Sequence, residues 1–281
     1  MHKTITVAMA AASLLAIAGC RQTSAGNAGE SASSNNVSGT AAAAGDINGT
    51  WKTDLASIKL DAKPDQYLLK DGQFSCPTCT PPITVAADGA FHPVTRPYAD
   101  HMSVKVDDDH NVTRTNQKGG KTTYQEKFSV SADGNTLTIN FNDTSGAKPV
   151  TGTGTETRAA PAPAGAHAMS GSWKPNPVTN LSDEGLTTTF RADNDMLHMS
   201  NPAGQSYDAK LDGTPAPIKG DIGGTTVSVK KLADGSYQET DTRAGQVVDV
   251  VTMTVGADGK LTFKDENKQR GSTITSVATK Q

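Results

Sequence analysis

After residue 45, polar and apolar positions alternate with a period of two in short runs. Between Lys121 and Ser131, Tyr124, Phe128 and Val130 share one face, and Thr123, Gln125, Lys127 and Ser129 share the other. Glu126 interrupts the apolar face. Between Gln246 and Val255, the face holding Val247, Val251, Met253 and Val255 is interrupted by Asp249, while Val248, Val250, Thr252 and Thr254 take the opposite side. A period of two marks strands with one buried face. The runs are rich in Thr and Val and stop at Asp-Gly or Gly-Gly, dipeptides that turn one strand into an antiparallel neighbour. No segment carries a long helical stripe, so the pattern predicts an all-β fold.

The pattern is written twice. Asn48-Gly49-Thr50-Trp51-Lys52 returns as Ser170-Gly171-Ser172-Trp173-Lys174, and these hold the two tryptophans of the chain. Downstream, Asp88-Gly89 matches Asp212-Gly213, Ser103-Val104-Lys105 matches Ser228-Val229-Lys230, and Val130 to Gly134 matches Val255 to Gly259. The anchors keep an offset of 122 to 125 residues, which chance would scatter; a tandem duplication accounts for it. Each copy offers about eight strand-like runs, the number that suits a small up-and-down barrel. The expectation is therefore two tandem antiparallel meander β-barrels, residues 46–158 and 169–281. A Pro/Ala linker at 159–168 joins them. The tryptophan of each repeat is expected to plug one end of its barrel.

Before the barrels come two segments of different composition. His2 and Lys3 precede an apolar run from Ile5 to Ala18, about 14 residues, too short at a rise of about 1.5 Å per residue to cross about 30 Å of hydrocarbon. It reads as a signal peptide, 1–19. Ala18-Gly19-Cys20 resembles the lipobox of bacterial lipoproteins; the other reading is a secreted protein in which Cys20 is incidental. The resemblance implies cleavage before Cys20, acyl chains of the palmitate kind on its thiol, and a membrane partner reached through that anchor. Arg21 stands where Asp would signal inner-membrane retention, so the resemblance places the protein on the periplasmic face of the outer membrane. Residues 20–45 hold almost no large apolar side chain and read as a flexible tether.

Composition narrows the rest. With 26 Lys+Arg against 29 Asp+Glu and a net charge of -3, there is no basic footprint for nucleic acid. Hydrophobic residues make up 35% and aromatics 5%, a supply better suited to small modules than to one large catalytic core. The Gly-x-Trp opening of an eight-strand meander is similar to lipocalin and fatty-acid-binding (calycin) barrels, and also to repeats of uncharacterised exported bacterial proteins. The first likeness implies a small apolar ligand; the second supplies no activity.

Candidate chemistry is sparse. Cys76-Pro77-Thr78-Cys79 can form a loop disulfide, bind metal or act as a redox pair. Pro81 and Pro82 work against the helix that redox pairs use, so a staple is favoured. His92, His101 and His110 with Asp107, Asp108 and Asp109 lack a metal-binding spacing, and the acidic run reads as a hairpin tip. The adjacent carboxylates Asp183-Glu184 and Asp265-Glu266 should point to opposite faces of their strands and not cooperate. No nucleophile elbow, phosphate loop or dinucleotide fingerprint is present. The expectation is a non-enzymatic envelope lipoprotein with no cofactor and no metal, in a structural or protein-interaction role beside other envelope proteins. The alternatives are binding of a small apolar ligand and redox chemistry at Cys76/Cys79.

Overall fold

The computed structural model describes residues 45–281. The leader, Cys20 and the tether through residue 44 lie outside the described residues. The first repeat supplies ten strands: β1 (Gly49–Asp61), β2 (Asp65–Lys70), β3 (Gln73–Cys76), β4 (Ile83–Ala86), β5 (Asp88–Arg96), β6 (Ala99–Val106), β7 (Asn111–Lys118), β8 (Lys121–Val130), β9 (Thr136–Asp143) and β10 (Val150–Ala160). The second supplies β11 (Gly171–Pro175), β12 (Asn180–Leu181), one helical turn α1 (Asp183–Leu186), β13 (Thr187–Asp193), β14 (Met196–Ser200), β15 (Ser206–Lys210) and β16 (Ala216–Pro217). It ends with β17 (Thr226–Lys231), β18 (Tyr237–Arg243), β19 (Gln246–Val255), β20 (Leu261–Asn267) and β21 (Ser272–Lys280).

The strands form two nearly closed antiparallel barrels of about ten strands each. The expected eight falls short because β3, β4 and β16 are only two to four residues long and show no alternation to read. The first barrel runs β4-β3-β2-β11-β10-β9-β8-β7-β6-β5, and the second runs β15-β14-β13-β1-β21-β20-β19-β18-β17-β16. β4 lies against β5 and β6 to approach closure of the first. Bridges Ser206–Lys219 and Asp212–Lys230 draw the second together.

The barrels and the sequence repeats do not coincide. β1, from the first repeat, is inserted between β13 and β21, with Trp51 opposite Thr188 and Lys280. β11, from the second repeat, is inserted between β2 and β10, with Trp173 opposite Asp65 and Arg158. The expectation that 46–158 and 169–281 each close their own barrel is corrected accordingly: the first strands are exchanged. The seam supplies the reason. β10 and β11 are consecutive, and pairing consecutive strands needs only a short loop. Arg158 holds that loop by donating to the carbonyls of Ser170 and Ala168, each at 2.8 Å. Once β11 occupies the gap in the first barrel, the matching gap in the second takes β1. The predicted linker is partly structured as well, since β10 extends to Ala160.

Each tryptophan fills the core of the barrel built mainly from the other repeat. Trp173 packs with Tyr67, Phe74, Phe128 and Leu137, whereas Trp51 packs with Phe190, Leu197, Tyr207 and Phe263. Both indoles donate to the carbonyl four residues earlier, Trp51 to Ile47 at 2.7 Å and Trp173 to Met169 at 2.8 Å. A cation from the last strand covers each ring, Arg158 over Trp173 and Lys280 over Trp51. The preceding glycines have φ of +128° at Gly49 and +126° at Gly171, and a Cβ at either would strike the covering Lys280 or Arg158. The Gly-x-Trp opening is thus required by a close approach of side chain to backbone.

A third apolar cluster joins the barrels: Ile58, Tyr124, Phe141, Val150, Leu181 and Leu186 are its larger members. Polar contacts reinforce it. Arg270, between β20 and β21, donates to both carboxylate oxygens of Asp65 at 3.0 Å, and Ala147 N–H donates to the Ala203 carbonyl at 2.7 Å.

Candidate functional site

The first barrel holds a charged layer between its apolar core and the junction cluster. Asp65 and Tyr67 point inward from β2, Arg114 from β7, Tyr124 and Glu126 from β8, and Glu156 from β10; all are buried. Period two forces this placement, because each shares a face with apolar neighbours such as Leu69, Val112 and Phe128. Arg114 stands opposite Glu126 in register and donates to it through Nη2. The Tyr124 hydroxyl donates to the other oxygen of Glu126 at 3.1 Å. The Arg114 guanidinium lies 5.5 Å from the Phe128 ring centre, on the border between charged and apolar layers.

Several groups in the layer have no protein partner within hydrogen-bonding reach. They are Nε and Nη1 of Arg114 and Oδ1 of Asn116, while Glu156 and the Tyr67 hydroxyl, which meet no other partner, face each other. Glu156 is 1% exposed, Tyr67 2% and Arg114 5%, so bulk water does not serve them. The electrostatics follow from burial. Burial pushes the Asp65 carboxyl up to about 7 despite the pull of Arg270. It raises Glu156 well above the carboxylate range, and the neighbouring Asp65 raises it further. Tyr67 is raised by burial and by Glu156. Arg114 is opposed by burial, but Glu126 beside it more than restores its charge. Arg96, beside the layer, is lowered to about 10 by burial and by Arg114. Its guanidinium donates to the carbonyls of Pro81 and Thr80.

Asp65 and Arg270 also line a cleft of 320 Å³ that opens where β1 crosses from the second barrel to β2 of the first; Lys63, Gln66, Thr78 and Ser172 complete its wall. A second cleft, of 380 Å³, sits where the chain enters the second barrel and includes Ile47, Asn48, Asp193, Lys231 and Tyr237.

The second barrel has an inner layer at the same height but of one sign. Glu239, Asp241, Asp249 and Asp265 are all buried, and the Tyr207 hydroxyl donates to Glu239 at 2.7 Å. Burial and Glu239 raise Tyr207 above the tyrosine range. Among the described residues, Arg114 is the one Lys or Arg in the buried class.

Cys76 and Cys79 are bonded to each other, with Cα atoms 5.2 Å apart and both residues at 0% exposure in the first barrel's core. The three histidines have separate partners: His92 meets Asp88, His101 meets Asp100, and His110 bonds the Val130 carbonyl. Asp107 to Asp109 form the tip between β6 and β7, where Asp108 accepts from the N–H groups of His110 and Asn111. Asp265 faces inward, while Glu266 faces out between Lys264 and Lys268. Asp183 and Glu184 lie in the turn α1 instead of a strand, and Asp183 pairs with Lys52 at 2.8 Å.

No family model matches the chain, and neither does any curated protein or solved structure. The residues themselves carry the functional reading. Asp65, Arg114, Glu156 and Arg270 were not singled out by sequence reasoning; the signal available was the pair of interruptions, Glu126 and Asp249, which mark the charged layer in each barrel.

Proposed function

We propose that the chain is a membrane-anchored envelope lipoprotein, held through Cys20, whose paired barrels act without catalysis as a rigid structural or protein-interaction body. The observation that carries the choice over an apolar-ligand carrier is that both barrels are filled by their own side chains. Trp51, Trp173, Tyr207, Phe74, Phe128 and Phe190 are the largest of those fully buried. The two clefts described above are walled largely by polar side chains, which offers a fatty acyl chain little to bury. The strand exchange supports the same reading, because neither barrel can open without disturbing the other. A redox role for Cys76/Cys79 is disfavoured by their complete burial, which denies an attacking thiolate access.

The test has two parts. Intact-mass analysis of the membrane fraction should find acyl mass on Cys20 and none on Cys20→Ala; acylation of the variant would reject the anchor. Native mass spectrometry of the delipidated protein with palmitate should show no specific one-to-one adduct. A stoichiometric adduct would replace the interaction reading with the carrier reading.

A further inference from the structure

We propose that the Asp65–Arg270 pair is a pH-sensitive latch across the barrel junction: ionised Asp65 pins the β20–β21 loop against the first barrel, and protonation of Asp65 frees it. The inference goes beyond the interaction role and does not rest on it.

Three observations converge. First, the pair joins the two barrels. Asp65 sits on β2 with its side chain 3% exposed, and Arg270 reaches it from the loop at 268–271, with both carboxylate oxygens accepting at 3.0 Å. The backbone of that loop bonds on its own side: Lys268 N–H donates to the Val248 carbonyl, Arg270 N–H to Oδ1 of Asn267, and Gly271 N–H to the Asn267 carbonyl. The guanidinium therefore carries the tie to the first barrel. Second, the pair borders solvent. Asp65 and Arg270 line the 320 Å³ cleft, so a proton can reach the carboxylate and a released Arg270 can be hydrated without either barrel opening.

Third, the surrounding charges make the tie depend on the proton. Lys63 stands exposed on the cleft wall, and its ammonium nitrogen would lie 3.9 Å from a Cβ at Gly271, next to Arg270. Neutral Asp65 leaves these two cations without the carboxylate charge between them, and like charges at short range repel. Inside the barrel, Arg114 and Glu126 bind each other, and Glu156 faces Tyr67. Burial sets the Asp65 carboxyl at about 7, although Arg270 pulls it down. When the loop swings out that pull is lost, while Asp65 still lies among Tyr67, Glu126 and Glu156. The carboxyl then titrates above 7, and by linkage the latch tightens as pH rises through the interval between the two values. Release is local, because the junction cluster and the contacts of Ala147 with Ala203, Lys118 with Ile222 and Tyr98 with Arg243 keep the barrels together.

Carboxyl titration by carbon NMR of the purified full chain measures the coupling directly. The Asp65 midpoint should rise in Arg270→Gln by at least about one pH unit, a tenfold change. Amide exchange reads the same coupling from the loop. After correction for intrinsic rates, protection of the Gly271 N–H should rise about tenfold from pH 6 to pH 9 in the native chain and stay at the lower level in Asp65→Asn and Arg270→Gln. Global unfolding cannot produce that rise, since Asp65 lowers global stability with pH up to about 7 and adds no slope above it. Glu156→Gln should keep the step, which separates Asp65 from its neighbour. Arg270→Gln, at the cleft, stands in if the buried Asp65 variant misfolds. An unmoved or lowered Asp65 midpoint in Arg270→Gln would overturn the proposal. So would native protection that is flat or falls toward pH 9, a step that survives in both latch variants, or one that Glu156→Gln abolishes.

Discussion

In the first barrel the residue facing Val104 across the β6–β7 pair is Arg114; in the second, the residue facing Val229 across β17–β18 is Glu239. One position in a duplicated scaffold has therefore become a buried cation in one copy and a buried acid in the other. Around Arg114 the layer is mixed in sign and borrows Arg270 from the second barrel. Around Glu239 it is acidic, with Tyr207 as a hydrogen-bond donor. The framing parts are held in common: a Gly-x-Trp strand, an indole bonded four residues back, and a cation over the ring. What must close the barrel has stayed alike, while the interior layer that closure does not need has diverged.

The largest expected effect tests which barrel each tryptophan serves. Trp51→Ala and Trp173→Ala should each cost about 3–5 kcal/mol, the usual penalty for deleting a fully buried large aromatic. The location of the damage is the sharper readout. Hydrogen exchange should rise first in β13, β20 and β21 for Trp51→Ala, and in β2, β9 and β10 for Trp173→Ala. Damage confined to the mutated residue's own repeat would dissolve the comparison.

Next is the buried ion pair. Arg114→Met leaves Glu126 charged and unpartnered by a cation, and should cost about 3–5 kcal/mol in denaturant unfolding. Arg114→Met combined with Glu126→Leu should recover most of that loss. A double variant as unstable as the single would mean that packing, not charge, sets the cost.

The staple comes third. By loop-closure entropy, replacing Cys76 and Cys79 by Ser should cost about 2 kcal/mol, since the bond closes a very short loop. The second barrel places Met199 at the position of Cys76, so its exchange protection should not change. The native bond should also resist mild thiol until the protein unfolds.

The smallest effect per step is the change in stability over one pH unit. Asp65 is raised from 3.8 to about 7 on folding, so between those values the folded chain holds a proton that the unfolded chain has released. Stability should therefore fall as pH rises through that window, by up to about 1.4 kcal/mol per pH unit for each such proton. Glu156 acts in the same direction. Asp65→Asn should flatten the profile in thermal melts at a series of pH values; an unchanged slope would remove Asp65 from the account.

Much of the fold was legible because period two and Asp-Gly turns report local geometry directly. The duplication was legible because Trp51 and Trp173 anchor it at one offset. The strand exchange was not legible, since β1 and β11 present the same pattern to either barrel and only spatial pairing distinguishes them. The short strands β3, β4 and β16 carry too few residues for alternation to show. In the charged layer, Glu126 and Asp249 were visible as breaks in apolar faces. Asp65, Arg114 and Glu156 were hidden in runs such as NVTRTNQK and TGTGTETR, whose inward positions carry small or polar residues that mask the face.

The exchange itself can be measured by cross-linking on the outer faces of the strands. In a Cys20→Ser background, K52C should form an intramolecular disulfide with T279C, because Lys52 and Thr279 are register partners in the second barrel. Thr157 occupies the place of Thr279 in the first repeat, and there it is paired with Lys174. The account predicts that K52C/T279C closes rapidly under mild oxidation, as peptide mapping would show, while K52C/T157C stays reduced. Closure of K52C/T157C with K52C/T279C left open would mean that each repeat keeps its own first strand, and would contradict the exchange.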